Sequence, residues 1–223
     1  MERKDIIILI TRKLPEKIEK KLKENFNVIL NKTDKKLSYT ELKKKVSQVD
    51  ILIPCVSDTI DASIIKSAKK LKLIANFGNG VDNLDLVTAR EENVVVTNTP
   101  DVLTEDTADL VLTLVLMISR KVVEAQKKIS GGRWSGWGPS ETMGERIRGK
   151  NFGIIGMGRI GKAVAKRLNI LGVKIFYHNR NRLQNNEEKV LKAKYFENLD
   201  LMITHCDIIS IHCPYTPETF HLL

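Results

Sequence analysis

The chain has 223 residues, 42% of them hydrophobic, with a formal net charge of +10 and three scattered cysteines. This length supports one large domain or two smaller ones, and the cysteines do not form a disulfide framework, so we expect a cytoplasmic protein. The longest apolar run, residues 110–118, is too short to cross a bilayer, and we expect the first residues to form a strand rather than a signal peptide.

The positive charge is spread evenly along the chain. Residues 1–98 carry 19 Lys/Arg against 14 Asp/Glu, and residues 99–223 carry 18 against 13. Many lysines fall on the wet faces of predicted amphipathic helices, and no basic arm or aromatic-interleaved patch stands out. We therefore expect neither a nucleic acid nor a membrane as partner, although the field would help to gather anionic ligands.

Short apolar runs alternate with helical patterns over the first hundred residues. Strands are predicted at 6–11, 27–30, 50–55, 73–77 and 94–100, and helices at 15–26, 38–46 and 61–71. Pro15 suits the first turn of its helix, and Ser38 suits an N-cap. Strands that alternate with helices indicate parallel βαβ units, hence an α/β fold.

A long helix is predicted to start near Thr104. Thr104 suits the N-cap position, and the acidic residues that follow suit the positive end of the helix dipole. Because the helix is apolar nearly all round from Leu110 to Ile118, we expect it to be buried between two bodies. The glycine-rich segment 130–149 is predicted to be a loop.

A second βαβ series carries a glycine motif. Strands are predicted near 151–155, 173–177 and 207–211, with a helix from about 159 to 171. Gly156, Gly158 and Gly161 form G-x-G-x-x-G between the first of these strands and the helix. In this setting the three glycines allow a tight turn, a close approach of a pyrophosphate and close helix–strand packing. The motif predicts a bound dinucleotide on the helix N-terminus, and a ligand-free glycine turn is the alternative.

The residues after the next strand bear on the choice of cofactor. The acid that grips the ribose of NAD lies about 20 residues after the glycines, where this chain has Tyr177 to Asn179. An acid there would repel a 2′-phosphate, whereas arginine binds one with charge-assisted hydrogen bonds. We predict that NADP is preferred and NAD is possible, with Arg180 as the main contact and Arg182 as support. The alternative is a solvated basic loop with little selectivity.

Several segments, in this order and spacing, resemble the D-isomer-specific 2-hydroxyacid dehydrogenases, and within them the glyoxylate/hydroxypyruvate reductase group. They are NFGNGVDNLDL (76–86), VVVTNTPDVLTEDTADLVLTLVL (94–116), GGRWSGWGP (131–139), GKNFGIIGMGRIGKAVAKRL (149–168) and IHCPYTPET (211–219). The resemblance implies two doubly wound parallel-sheet domains, Rossmann- or flavodoxin-like, with the active site in a cleft between them. Residues 1–98 would belong to the substrate domain and 99–223 to an incomplete dinucleotide domain. The helix from Thr104 would form much of a homodimer interface.

The resemblance also implies roles for individual residues. Backbone amides around Asn79, Gly80 and Val81 would hold the substrate carboxylate, which suits N–H groups closing around an anion. Trp137 would reach into the partner subunit's active site and limit substrate size. The further cofactor contacts would be Thr104, Arg159, Ile160, Asn179, Cys213, Pro214 and Thr219.

Simpler interpretations stay open for several of these residues. Asn79 and Gly80 suit a tight turn, Trp137 suits a loop anchor, and Cys213 suits a packed small residue. The adjacent pairs His205–Cys206 and His212–Cys213 lack the usual zinc spacing, so no metal site is expected.

The family's catalytic arginine, glutamate and histidine are implied to lie beyond Leu223, and no histidine of this chain takes that role. The parent protein would reduce glyoxylate or hydroxypyruvate to the 2-hydroxyacid by NAD(P)H-dependent hydride transfer, while the chain as given is expected to be inactive. The alternatives are a phosphoglycerate or D-lactate type of dehydrogenase, a non-catalytic dinucleotide-binding module of the same fold, and a truncated remnant that binds cofactor, or pairs with a complete subunit, without reacting.

Overall fold

The computed structural model describes residues 3–223, and the chain divides into two compact units, Met1–Val102 and Leu103–Leu223. The division falls a few residues after the boundary predicted between 98 and 99. Within each unit the strands pair in parallel to form a separate sheet, which confirms the predicted α/β fold class. Among residues 3–223, no helix has the length and apolar character needed to span a membrane.

A five-stranded parallel sheet forms the first unit, with the order β2-β1-β3-β4-β5. The strands are β1 (Ile7–Ile10), β2 (Asn27–Leu30), β3 (Ile51–Ile53), β4 (Leu73–Ala75) and β5 (Val95–Thr97), and the helices are α1 (Glu16–Asn25), α2 (Tyr39–Val46), α3 (Ala62–Ser67) and α4 (Leu86–Glu91). Leu9 of β1 packs into one apolar cluster and Ile8 and Ile10 into another. Because successive side chains of a strand point to opposite faces, β1 is covered on both sides, as a doubly wound sheet requires.

Polar side chains cap the short helices of this unit. Ser38 accepts a hydrogen bond from the Glu41 N–H while the Glu41 side chain accepts one from the Ser38 N–H, a reciprocal capping box that confirms Ser38 as the N-cap of α2. Asp61 and Asp85 each accept a hydrogen bond from an N–H in the first turn of α3 and α4. These bonds satisfy N–H groups that have no partner inside the helix.

The second unit is built on a four-stranded parallel sheet with the order β8-β7-β6-β9. Its strands are β6 (Asn151–Ile155), β7 (Lys174–His178), β8 (Ala193–Tyr195) and β9 (Ile208–Ile211), and its helices are α5 (Thr104–Ser119), α6 (Val122–Ser130), α7 (Arg159–Ile170), α8 (Asn185–Leu191) and α9 (Leu199–Thr204). Phe152, Ile154, Val164 and Tyr177 are fully buried in its core. Strand β6 lies between β7 and β9, so the ends of these three strands meet at one edge of the sheet.

Helix α5 begins at the residue predicted as its cap and is only partly buried within this chain. Its N-cap is Leu103, with no side-chain cap bond, and Thr104 is the first helical residue. Ala108 and Val115 are buried, whereas Leu110 and Ile118 are exposed. Helix α7 packs against α5, while Leu110 and Ile118 are uncovered within this chain, so burial of α5 between two bodies stays a prediction.

Candidate functional site

The three glycines of the motif have distinct structural environments. Gly156 has a φ of +95°, and a Cβ there would lie 2.6 Å from the backbone nitrogen of Cys213. A Cβ at Gly161 would lie 2.5 Å from the Gly156 carbonyl oxygen, so this glycine lets α7 approach the end of β6. A Cβ at Gly158 would meet nothing within 4 Å. Glycine at 156 and 161 therefore serves the turn and the packing of the fold, whereas position 158 faces open space.

Helix α7 begins at this open space. Gly158 is its N-cap and makes no side-chain cap bond. The first N–H groups of a helix carry a partial positive charge and bind anions when no side chain caps them. The turn from β6 into α7 thus has the shape and polarity that a pyrophosphate requires.

The loops after β6, β7 and β9 are tied together at the sheet edge. The Gly156 N–H donates to the His178 carbonyl at 2.9 Å, and the His212 N–H donates to the Ile155 carbonyl at 2.7 Å. A cavity of about 450 Å³ opens where they meet, lined by Ile155, Gly156, His178, Asn179, Arg180, Asn181, Cys213, Pro214, Thr216, Glu218, Thr219 and Leu222. Ligands of open α/β sheets bind at this carboxyl edge.

The cavity collects many of the predicted cofactor residues. Gly156, Asn179, Arg180 and the segment of Cys213, Pro214 and Thr219 line it together. The cavity wall does not include Thr104, Gly158, Arg159, Ile160, Gly161 or Arg182. Sequence reasoning did not single out Thr216 and Glu218 as wall residues, although both lie inside the quoted segment IHCPYTPET.

Asn179 lies directly after β7, at the position of the expected acid. Its side-chain oxygen accepts a hydrogen bond from the Met157 N–H at 3.2 Å, and its side-chain nitrogen donates to the Asn181 carbonyl at 2.9 Å. The amide thereby links the glycine loop to the basic loop without adding negative charge. Arg180, the next residue, is exposed in the cavity wall.

Arg182 has a different environment from Arg180. Its guanidinium donates two hydrogen bonds of 2.9 Å to the carboxylate of Glu188 in α8. The Tyr177 hydroxyl donates to the same carboxylate at 2.6 Å and accepts a bond from the Leu183 N–H. The hydrogen bonds from Arg182, and to a lesser extent from Tyr177, lower the pKa of Glu188. Burial, and to a lesser extent the bond to Glu188, raises the pKa of Tyr177 to about 12. The predicted supporting cation is thus fixed beside the cavity and not in its wall.

The turn after β9 is held by its own hydroxyls. Thr219 donates from its hydroxyl to the Pro214 carbonyl at 2.7 Å and accepts from the Thr216 N–H at 2.8 Å. The bond from the Thr216 side chain lowers the pKa of Glu218, and the positive charge of Arg180 lowers it further. The cavity wall therefore holds one anionic and one cationic side chain.

The predicted substrate loop lies in the first unit and rests on two asparagines. Asn76 is buried, donates to the Gly80 carbonyl at 2.8 Å and exchanges amide hydrogen bonds with Asn83. Asn98 donates to the Asn79 carbonyl at 2.7 Å. Within the described residues, the N–H groups of Gly80 and Val81 donate to no protein acceptor. The carbonyl groups of the loop are thus engaged while these amides stay available to an anion.

The tryptophans and histidines have contrasting surroundings. Trp137 is 86% exposed, so within this chain it does not anchor its loop. His178 and His205 contact backbone carbonyl oxygens, and His212 contacts the Ser210 hydroxyl. Burial lowers the pKa of His212. No histidine among residues 3–223 is paired with a carboxylate, as a His–acid proton donor would be. Over the same residues, no group of three or more His, Cys, Asp or Glu side chains is placed to hold a metal ion.

Comparison with known proteins agrees with this geometry. The profile of the D-isomer specific 2-hydroxyacid dehydrogenase NAD binding domain matches residues 112–223. The chain belongs to the D-isomer specific 2-hydroxyacid dehydrogenase family. The glycine loop, the cavity and β6–β9 all lie inside the matched region, so this part of the family member is its NAD-binding domain.

Individual relatives extend the match to almost the whole chain. The glyoxylate reductase of Thermococcus litoralis is 39% identical over 97% of this chain, and the chain spans 66% of that relative. The crystal structure of the TT0316 protein from Thermus thermophilus superposes with a TM-score of 0.88 at 40% identity, over 97% of this chain and 68% of that one. A glyoxylate reductase from Paecilomyes thermophila superposes with a TM-score of 0.81 at 26% identity, over 98% and 68%. This family member thus spans just under two thirds of the length of the curated relative.

Proposed function

We propose that the full-length protein reduces a small 2-oxoacid, glyoxylate or hydroxypyruvate, to the 2-hydroxyacid, with NADPH preferred over NADH. The observation that carries the proposal is the cavity where the glycine loop meets Asn179 and Arg180, with no acid directly after β7. Relatives named glyoxylate reductase support the substrate class.

The residues around the cavity fit a dinucleotide. The open space at Gly158 and the uncapped start of α7 would receive the pyrophosphate. Arg180 would face the 2′-phosphate, and Pro214, Thr219 and Cys213 would line the ribose side. When bound, the reduced nicotinamide supplies the hydride for the reduction.

The loop Asn79–Val81 would hold the substrate carboxylate through its backbone amides. Hydrogen bonds from Asn76 and Asn98 to carbonyl groups of this loop support a fixed orientation of its amides. Thr104 would contact the nicotinamide end, and Trp137 would limit the size of the substrate from the partner subunit. The described residues contain no His–carboxylate pair, and we assign the proton transfer to none of them.

Surface and cysteine features support a homodimer and a cytoplasmic location. Leu110, Leu114 and Ile118 of α5 are exposed, which favours a homodimer that covers these apolar side chains. All three cysteines are free, which favours the cytoplasm. Sedimentation of the full-length protein tests the dimer.

A substrate panel tests the activity. The full-length protein is mixed with NADPH or NADH and with glyoxylate, hydroxypyruvate, pyruvate or phosphohydroxypyruvate, and cofactor oxidation is followed by absorbance. We expect the highest kcat/KM for glyoxylate or hydroxypyruvate with NADPH. Higher values for phosphohydroxypyruvate or pyruvate would favour the phosphoglycerate or D-lactate alternative. Binding of the dinucleotide without turnover of any oxoacid would favour a non-catalytic module.

A further inference from the structure

Glu188 accepts two hydrogen bonds from Arg182, the second arginine of the basic loop. The guanidinium of Arg182 donates from both Nε and Nη2 to this carboxylate, each at 2.9 Å, and lies 5.4 Å from the centre of the Tyr195 ring. The Tyr177 hydroxyl donates a third bond to the carboxylate at 2.6 Å. Bidentate pairing of this kind fixes the direction of a guanidinium as well as its distance.

The contacts with Glu188 give Arg182 a different environment from Arg180, which lies two residues earlier in the sequence. Arg180 lies in the wall of the dinucleotide cavity, whereas Arg182 does not. The Glu188 side chain is only 11% exposed, against 57% for Arg182. A carboxylate shielded from water binds its cation more tightly than a surface carboxylate does. A ligand phosphate must therefore compete with Glu188 for Arg182.

We propose that Glu188 is a positioning residue that withholds Arg182 from the 2′-phosphate and so limits the preference for NADPH over NADH. The inference rests on the proposed dinucleotide function of the cavity. An isosteric amide at position 188 would keep a partner for Tyr177 while removing the charge that holds Arg182. The freed cation would then add a second charge-assisted contact to the phosphate.

Calorimetric titration of NADPH and of NADH into the protein tests the proposal without relying on turnover. For E188Q we expect the Kd of NADPH to fall by about fivefold, the size of one partly exposed charge-assisted contact, with little change for NADH. The matched control is E187Q, which removes the neighbouring carboxylate of α8 and its 2.5 Å pair with Lys162, outside the cavity wall. This control should leave the ratio of the two Kd values unchanged.

A second substitution tests whether Arg182 causes the gain. In the E188Q background, Arg182→Ala should return the Kd of NADPH to the wild-type value. If E188Q does not fold, the single variants R182A and R180A decide the question: R182A should weaken NADPH binding much less than R180A does.

Three results would overturn the inference. They are an unchanged or reduced preference for NADPH in E188Q, equal shifts for both nucleotides, and a larger loss for R182A than for R180A. Dinucleotide binding by the wild-type protein in the same titrations would leave the proposed reduction standing, although the third result would also remove Arg180 as the main phosphate contact. A wild-type protein that binds neither nucleotide would overturn both.

Discussion

Gly158→Ala separates the binding role of the glycine loop from its structural role. A Cβ at position 158 meets nothing within 4 Å, so the substitution creates no clash in the protein. Alanine is a poorer N-cap than glycine, and we expect the free energy of unfolding to fall by no more than about 1 kcal/mol. The methyl group would, however, occupy the space that a pyrophosphate approaches, and we expect the Kd for NADPH to rise by about tenfold or more, equivalent to at least about 1.4 kcal/mol.

Gly161→Ala provides the opposite case. Its Cβ would lie 2.5 Å from the backbone oxygen of Gly156 and 3.2 Å from Ile154, where neither backbone nor packed strand gives way easily. Overpacking of this kind costs about 1–3 kcal/mol of stability. Urea unfolding and calorimetric titration of both variants measure the two effects. If G158A bound NADPH as tightly as the wild type, the pyrophosphate could not lie at this turn.

The remaining predictions concern the basic loop. Arg180→Ala should raise the Kd of NADPH much more than that of NADH, and equal shifts in two parallel titrations would contradict its contact with the phosphate. Asn179→Asp places a carboxylate directly after β7 and should reverse the preference toward NADH, measured as the ratio of the two Kd values; an unchanged ratio would contradict this assignment. The pKa of Tyr177 is raised to about 12, so its neutral form stabilises the fold fully below the unfolded pKa of about 10, and this contribution is lost as the pH rises from there toward 12. Urea unfolding between these pH values should therefore show a smaller loss of stability for Tyr177→Phe than for the wild type, and identical losses would refute the argument.

Most strands of the two sheets could be predicted because their sequences are short apolar runs between helical patterns. Residues 6–11 form a run of mostly apolar β-branched side chains, residues 151–155 end in two isoleucines, and both segments form strands inside their sheets rather than at an edge. The glycine motif could be placed because its strand and helix lie on either side of it. Other elements were missed because their sequences lack an apolar pattern: β8 has the sequence AKY, and α8 has the polar sequence NNEEKVL, of which only Leu191 is buried.

The sequence could predict which residues lie near the candidate site but not which side chains contact one another. Asn179 and Arg180 follow a strand whose end could be counted from the glycines, and both line the cavity. The fork between Arg182 and Glu188 depends on the turn that starts α8, a helix that the pattern does not reveal. The support of the Asn79–Val81 loop by Asn76 likewise depends on tertiary packing, since a buried amide shows no periodic signal.

The basic loop is held in shape by hydrogen bonds within a single short stretch of chain. Direct hydrogen bonds connect Tyr177 with Leu183 and Glu188, and Glu188 with Arg182. Residues 177–188 therefore include both the side chain proposed to contact the phosphate and the groups that shape its loop. Such a stretch can be exchanged between homologous proteins as one cassette, provided that its outside contacts, such as the Met157 amide and the Tyr195 ring, are kept. Cofactor preference could then be transplanted without rebuilding the surrounding sheet.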